Sequence, residues 1–150
     1  MESQEIKNKI MAVKVTTTWL GEMRFESTNP SGQNLFIDAG EENGGKSEGY
    51  RPKALMLSGL AGCSGLDVAS LIKKMKLEVD DFKIETEANL TDEHPKIYDK
   101  VTMSFHFYGD NLKEKKLQKA VDLSIEKYCG VMEMFRQFAE LSIETHFHNS

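Results

Sequence analysis

The chain has 150 residues, 39% of them hydrophobic, and it carries 24 acidic against 19 basic residues for a net charge of −5. This length and composition fit one globular domain with a sizeable core, so we expect a single domain over residues 1–150. The basic residues are interspersed with acids rather than clustered, which argues against a nucleic-acid-binding face or an anionic-membrane surface. We therefore expect the partners to be small molecules or proteins.

The compartment is predicted from the N-terminus, the hydropathy and the cysteines. The first nine residues lack the apolar run of a signal peptide, and we expect no stretch of about 18 apolar residues that would span a bilayer. Both observations predict a cytoplasmic protein. In that compartment, two cysteines are more often reduced, catalytic or inert than joined in a permanent disulfide.

The first part of the chain is predicted to form three strands. Residues 11–19 are rich in β-branched side chains and predict a strand, and Gly21 allows a turn into a second strand over 22–27. A third, short strand is expected over 34–38. The following segment, 40–49, combines glycines with acids and predicts a mobile loop.

A long helix is predicted from Pro52 to about Lys76, with Pro in its first turn. Each glycine inside a helix costs about 1 kcal/mol relative to alanine, so several in a row need a compensating contact. Either the helix packs tightly within the chain, or two such helices cross at a dimer interface beside Cys63. The small side chains that form one stripe of this helix are Ser58, Gly62, Gly65 and Ala69.

The remaining chain predicts two half-buried antiparallel strands over 78–89 and 97–108, because apolar and polar residues alternate there. Helical spacing follows over 112–128, a short helix over 130–140 and a last strand over 141–147. The order β-β-β-α-β-β-α-α-β favours an antiparallel α+β fold over a doubly wound one. Since the N-terminal strands have little apolar partner surface, we expect a homodimer to cover their edges.

Two cysteines are the candidate chemical groups. Cys63 is flanked by Gly62 and Ser64, which leaves room for a substrate to approach the sulfur, although a buried inert thiol fits the same pattern. Cys129 lies between a helix that ends near Tyr128 and one that begins near Gly130. A thiolate at a helix N-terminus has a lowered pKa, and a packing or capping role is the alternative. Nothing local in the sequence shows that the two cysteines meet.

Arg24 lies mid-strand and is interpreted either as a solvated strand residue or as a cation that stabilises a thiolate. The histidines do not pair with a cysteine or carboxylate at ligand spacing, so we expect no metal site. Glycine-rich phosphate loops are missing from the sequence, and we expect no cofactor.

The segment from Pro52 to Cys63, read with the later Tyr128-Cys129-Gly130-Val131, resembles the OsmC/Ohr family. In that family a proline opens a long central helix that bears the first cysteine, and a short motif ending in valine bears the second. The resemblance covers nearly the whole chain, including the order of strands and helices.

The resemblance implies an intertwined α+β homodimer with antiparallel sheets around long central helices and two active sites at the subunit interface. It also implies a thiol-dependent peroxidase that reduces organic hydroperoxides in oxidative-stress defence and is re-reduced by a dithiol. By position, Cys63 matches the peroxidatic cysteine, Cys129 the resolving cysteine and Arg24 the arginine that activates the thiolate.

The sequence departs from the family pattern at Lys53. Well-characterised peroxidases of the family carry Glu directly after the helix-opening proline, where it pairs with the arginine. A lysine at that position would repel Arg24 rather than hold it. This departure keeps a second hypothesis open, in which the protein binds a small ligand or senses redox state without turnover.

Overall fold

The computed structural model describes residues 12–150, which divide into two compact units between Leu55 and Met56. The expected single domain therefore stays a prediction. Met11, where the first strand was expected to begin, lies outside the described residues. The α+β class is confirmed, since strands and helices follow one another along the chain in the predicted order, with consecutive strands grouped together.

The N-terminal unit contains an antiparallel three-stranded sheet in the order β1-β2-β3. The strands are β1 (Thr16–Gly21), β2 (Arg24–Thr28) and β3 (Asn34–Ile37). Gly21 adopts φ 103°, a left-handed conformation in which a side chain would be strained, so glycine suits the tight β1–β2 turn. The first strand starts several residues later than its β-branched composition predicts.

The loop that follows β3 is held by a buried carboxylate. Asp38 is 4% exposed and accepts backbone N–H groups from Ala39, Lys46 and Glu48. Burial by itself would raise the pKa of Asp38, but these three hydrogen bonds and the charge of Arg24 lower it overall. The segment predicted to be a mobile loop is therefore tied to the end of β3, and it contains one 3-10 turn.

The long helix α1 (Pro52–Lys74) forms as predicted and ends within two residues of the expected position. Its most apolar 18-residue window has a mean hydropathy of 1.6, so the helix is long and apolar enough to cross a bilayer by length and composition alone. This finding corrects the expectation that no such stretch exists. A core helix of a soluble protein passes the same test, so the observation is weak evidence for a membrane span.

Only one stripe of α1 is buried within the chain, formed by Leu60, Ser64 and Val68 at intervals of four residues. The stripe of small residues lies mostly on the exposed side. A Cβ atom at Gly62 would meet no atom within 4 Å. Tight packing within the chain therefore does not explain this glycine.

The C-terminal unit contains a second three-stranded sheet, β4 (Asp81–Leu90), β5 (Tyr98–Tyr108) and β6 (Glu140–His148), in the order β4-β5-β6. The β4–β5 pair is antiparallel, as predicted. The β5–β6 pair is parallel, whereas the expected architecture had antiparallel sheets. Parallel neighbours need a long crossover, and the helical segment between β5 and β6 supplies it.

That crossover consists of α2 (Glu114–Leu123), a π-helical turn (Ser124–Tyr128) and α3 (Gly130–Arg136). The sequence predicted one helix over the first two of these segments. The wider turn ends that helix immediately before Cys129.

The core of the C-terminal unit lies between the sheet and the helices. Alternate side chains of β5 are buried, which confirms the strict period-two pattern of that strand. Helix side chains close the core from the other side. The residues of this core are Leu60, Val68, Tyr98, Val101, Met103, Phe105, Phe107, Leu117, Val121, Cys129, Met132 and Phe135.

Candidate active site

The fold brings the two cysteines together in the C-terminal unit. The Sγ atoms of Cys63 and Cys129 and a carboxylate oxygen of Asp67 all lie within 4.8 Å of one another. Both cysteines are free thiols, Cys63 half-buried and Cys129 only 4% exposed. The arrangement therefore pairs an accessible thiol with a sheltered one.

Helix α1 positions Cys63 and Asp67. The two residues are four apart, which places them one above the other on the same face of the helix. Each directly precedes a buried residue, Ser64 or Val68, that anchors α1 to the rest of the unit. This packing turns both functional side chains toward the crossover segment.

Cys129 is held at the junction between the π-helical turn and α3. Its backbone N–H donates to the carbonyl of Ser124 at 2.8 Å and so closes the turn. Its own backbone is extended, with φ −79° and ψ 103°, and its Sγ accepts the N–H of Met132 at 3.3 Å. The cysteine therefore caps α3 with its sulfur.

The pKa of Cys129 is raised from its ordinary value of 9.0 to about 11. Burial is the largest cause, because a thiolate loses its hydration there, and a hydrogen bond with Cys63 comes next. The N–H of Met132 opposes the rise but does not outweigh it. The expectation of a lowered pKa at the start of α3 is therefore wrong, because desolvation exceeds the stabilisation from the helix end.

A chain of buried hydroxyl groups leads to Asp67. Ser64 and Ser124 are fully buried, and their Oγ atoms lie 2.9 Å apart. The Ser124 hydroxyl is also 3.1 Å from Oδ2 of Asp67. Because a carboxylate only accepts, Ser124 donates to Asp67 and Ser64 donates to Ser124. This chain fixes the orientation of the Asp67 side chain.

Sequence reasoning missed Asp67 and the two serines. The available signal was the spacing, since Asp67 follows Cys63 by one helical turn and is the only acidic residue in α1. Ser124 carried no such signal, because it lies 60 residues from Ser64.

A cleft of about 380 Å³ borders the site. It contains the carboxylate-bearing residue Asp67 and the aromatic ring of Tyr128, the neighbour of Cys129. Neither cysteine lines the cleft, so it meets the site at Asp67. Its lining residues are Asp67, Ser70, Leu71, Lys74 and Tyr128.

Arg24 and Lys53 belong to the N-terminal unit. An Arg24 guanidinium nitrogen lies 3.8 Å from a carboxylate oxygen of Glu48, and the guanidinium carbon lies 4.5 Å from the centre of the Phe36 ring. Arg24 therefore has an acidic partner without a glutamate at position 53. Lys53 is exposed in the first turn of α1. The roles of both residues toward Cys63 stay predictions.

A protein-family model matches more than half of the chain. The family model described as OsmC-like protein matches residues 44–144, which include both cysteines. Protein YhfA of Escherichia coli (strain K12) is 29% identical over 124 residues, covering 83% of this chain and 90% of YhfA.

Two solved structures extend the likeness to the fold. A hypothetical protein from Aquifex aeolicus VF5 is 31% identical with a TM-score of 0.81, covering 93% of this chain and 98% of its own. The organic hydroperoxide resistance protein OhrB of Bacillus subtilis is 22% identical with a TM-score of 0.63, over 91% of this chain and 98% of its own, which shows a shared fold. With more than half of the sequence matched and the central cysteine-bearing helix in place, this chain belongs to the OsmC-like protein family.

Proposed function

We propose that this protein is a cytosolic, homodimeric thiol peroxidase that reduces organic hydroperoxides with Cys63 and Cys129. The observation that carries the proposal is the proximity of two free thiols, whose Sγ atoms lie within 4.8 Å. The fold shared with the organic hydroperoxide resistance protein OhrB supports the same substrate class.

Their exposure and the raised pKa of Cys129 support different roles for the two cysteines. Cys63 is the half-buried thiol and meets an incoming peroxide first, whereas Cys129 is sheltered. Burial, followed by a hydrogen bond with Cys63, raises the pKa of Cys129 to about 11. Cys129 therefore holds its proton at neutral pH, and Cys63 is the nucleophile.

The reaction consists of two sulfur-centred displacements. The Cys63 thiolate attacks the terminal oxygen of the hydroperoxide, the O–O bond breaks, and the departing alkoxide takes a proton and leaves as an alcohol. Cys63 is thereby oxidised to a sulfenic acid. The Cys129 sulfur then attacks the Cys63 sulfur, loses its proton, and displaces the sulfenic oxygen as water to form a disulfide. A dithiol reductant restores both thiols.

Disulfide formation requires the sulfurs to approach, since an S–S bond is about 2.05 Å long. Cys129 is well placed to move, because it lies at the junction between two short helical segments rather than inside one. The second step waits for the first because only the sulfenic acid gives the Cys63 sulfur an oxygen that a thiol can displace.

The dimer is proposed from surface that the single chain leaves uncovered. The small-residue stripe of α1 is open at Gly62, and large apolar side chains of the N-terminal unit are exposed, among them Trp19 at 63% and Leu20 at 49%. A second copy of the chain would cover both surfaces. Sedimentation at micromolar concentration tests this part, and a stable, folded monomer there would contradict it.

The activity is tested by following the consumption of cumene hydroperoxide by the reduced protein with dithiothreitol as the dithiol. We expect catalytic turnover in the wild type and none in Cys63→Ser. Mass spectrometry after one equivalent of peroxide should find a Cys63–Cys129 disulfide. A disulfide that forms once without turnover would instead support a redox sensor, and unreacted thiols would support a ligand-binding protein.

A further inference from the structure

The three side chains at the site are of types that ligate metals, and the spacing of residues in the sequence did not predict that they would converge. Two thiols and one carboxylate converge, with their ligand atoms within 4.8 Å of one another. We propose that the reduced protein binds one thiophilic divalent cation of the Zn²⁺ type through Cys63, Cys129 and Asp67, with the fourth position open to water.

The geometry requires only a small adjustment. Zinc sits about 2.3 Å from thiolate sulfur and about 2.0 Å from carboxylate oxygen in a tetrahedron, which places ligand atoms roughly 3.5–3.8 Å apart. The ligand atoms now lie up to 4.8 Å apart. Rotation of the side chains would have to shorten these distances by about 1 Å to form the tetrahedron. Each thiol gives up its proton when the metal binds.

The surroundings of the ligands match those of a built metal site. The Ser124 hydroxyl donates to Oδ2 of Asp67 at 3.1 Å, and the Met132 N–H donates to the Cys129 sulfur at 3.3 Å. Such outer hydrogen bonds orient ligating carboxylates and stabilise bound thiolates. Asp67 also lines a cleft of about 380 Å³, so this ligand borders an open space.

The donor set selects the class of cation. Two sulfur ligands favour zinc, cobalt(II) or cadmium over magnesium and calcium, which prefer oxygen ligands only. Metal binding and disulfide formation exclude each other, because both use the same sulfur electron pairs. An occupied site would therefore protect the thiols from oxidation.

The test uses fully reduced wild-type protein, without oxygen or peroxide, titrated with Co²⁺ and then Zn²⁺. We expect one equivalent of Co²⁺ per chain to produce intense tetrahedral d–d bands with a sulfur-to-cobalt charge-transfer band, and Zn²⁺ to bleach both. Zn²⁺ should also slow alkylation of Cys63 and Cys129 by iodoacetamide.

Asp67→Asn should weaken Zn²⁺ binding by roughly tenfold or more, because it removes a charged ligand while keeping the side-chain size. The matched control is Asp122→Asn, since Asp122 is an exposed carboxylate on α2 that accepts a hydrogen bond from Gln118. Circular dichroism confirms that both variants are folded, and Cys129→Ser provides a second ligand variant.

The absence of a thiolate–cobalt band in the wild type, or equal affinity of Asp67→Asn and wild type, would overturn the proposal. These readouts involve no peroxide, so they are independent of the peroxidase proposal.

Discussion

The two units of the chain differ in what they bury. Among the described residues, the apolar core lies entirely in the C-terminal unit, where Phe105 and Phe107 are fully buried. In the N-terminal unit the buried side chains include the polar Ser27 and Asp38. Leu35, Phe36 and Ile37 of β3 are half-buried. The other large apolar side chains exposed in this unit are Val13, Val15, Trp19, Leu20, Met23, Phe25 and Tyr50.

The C-terminal unit is therefore stabilised by its own apolar core, whereas the N-terminal unit leaves apolar surface uncovered. The C-terminal unit holds its thiols on elements that are anchored by their own core, so the geometry of the cysteine pair belongs to one chain. The N-terminal sheet exposes apolar surface that a stable soluble protein normally covers. We therefore expect the chemistry to respond to changes in the C-terminal unit and the assembly to respond to changes in the N-terminal unit.

The largest effect is expected from Cys63→Ser, which should lower the peroxidase rate by roughly 10³-fold or more because it removes the nucleophile. Peroxide consumption with a dithiol measures the loss. Cys129→Ser is the paired variant, and it should undergo one oxidation and then stall with Cys63 as a sulfenic acid. Normal turnover by the Cys129 variant would remove its resolving role.

The second prediction compares the two units directly. Phe105→Ala should lower the free energy of unfolding by about 3–5 kcal/mol, since it leaves a cavity in the core. Phe25→Ala in β2 should change the free energy of unfolding of the isolated chain by less than about 1 kcal/mol, because Phe25 is 36% exposed. We expect Phe25→Ala to weaken the dimer instead.

Chemical denaturation at several protein concentrations separates these two effects. The comparison of the units fails if Phe25→Ala destabilises the chain as strongly as Phe105→Ala at every concentration, or if neither variant changes the dimer.

The third prediction concerns pH. Because the native pKa of Cys129 is about 11 and its ordinary value is 9.0, the unfolded chain loses this proton first as the pH rises. The protonated Cys129 thiol therefore adds to the free energy of unfolding in full below pH 9, and this contribution is lost between pH 9 and 11. Its size is at most about 2–3 kcal/mol, at about 1.4 kcal/mol for each unit by which the two pKa values differ.

Denaturation of wild type and Cys129→Ser at pH 8, 9, 10 and 11 measures this contribution as a difference, which cancels the titration of the lysines. We expect the wild type to lose more stability than the variant over this range. Parallel curves would mean that the thiol of Cys129 titrates alike in the folded and unfolded chains.

The smallest effect is expected for Lys53→Glu in the N-terminal unit. Since Arg24 already lies 3.8 Å from Glu48, an added glutamate does not supply a missing partner. Exposed ion pairs contribute at most about 1 kcal/mol, so the rate should change by less than about fivefold. The second-order rate with cumene hydroperoxide measures it, with Glu48→Gln as the matched control. A large acceleration by Lys53→Glu would restore the idea of a missing carboxylate.

Much of the fold could be predicted from local patterns. The alternation of Val101, Met103, Phe105 and Phe107 predicted both a strand and the face that it buries. The direction of β6 could not be predicted in this way, because alternation has the same period in parallel and antiparallel strands. The packing of the helical crossover decides that direction.

The candidate site was predictable only in part. The small neighbours of Cys63 and the helix boundary at Cys129 marked both thiols from the sequence. The predicted direction of the pKa shift of Cys129 was wrong. The sequence indicates the start of a helix at this residue, but it does not show that the thiol is buried. Arg24 was predicted as a strand cation, but its partner Glu48 comes from a loop whose path depends on Asp38.

The order of elements, the alternation of β4 and β5 and the choice of Cys63 and Cys129 as candidate thiols followed from the sequence, because they depend on neighbours a few residues apart. Only the tertiary structure decided that Cys63, Asp67 and Cys129 converge and that Ser124 orients the carboxylate. Those contacts join α1 to a crossover about 60 residues later in the chain. They arise because both segments bury their apolar side chains against the same sheet, and no local pattern of residues encodes that meeting.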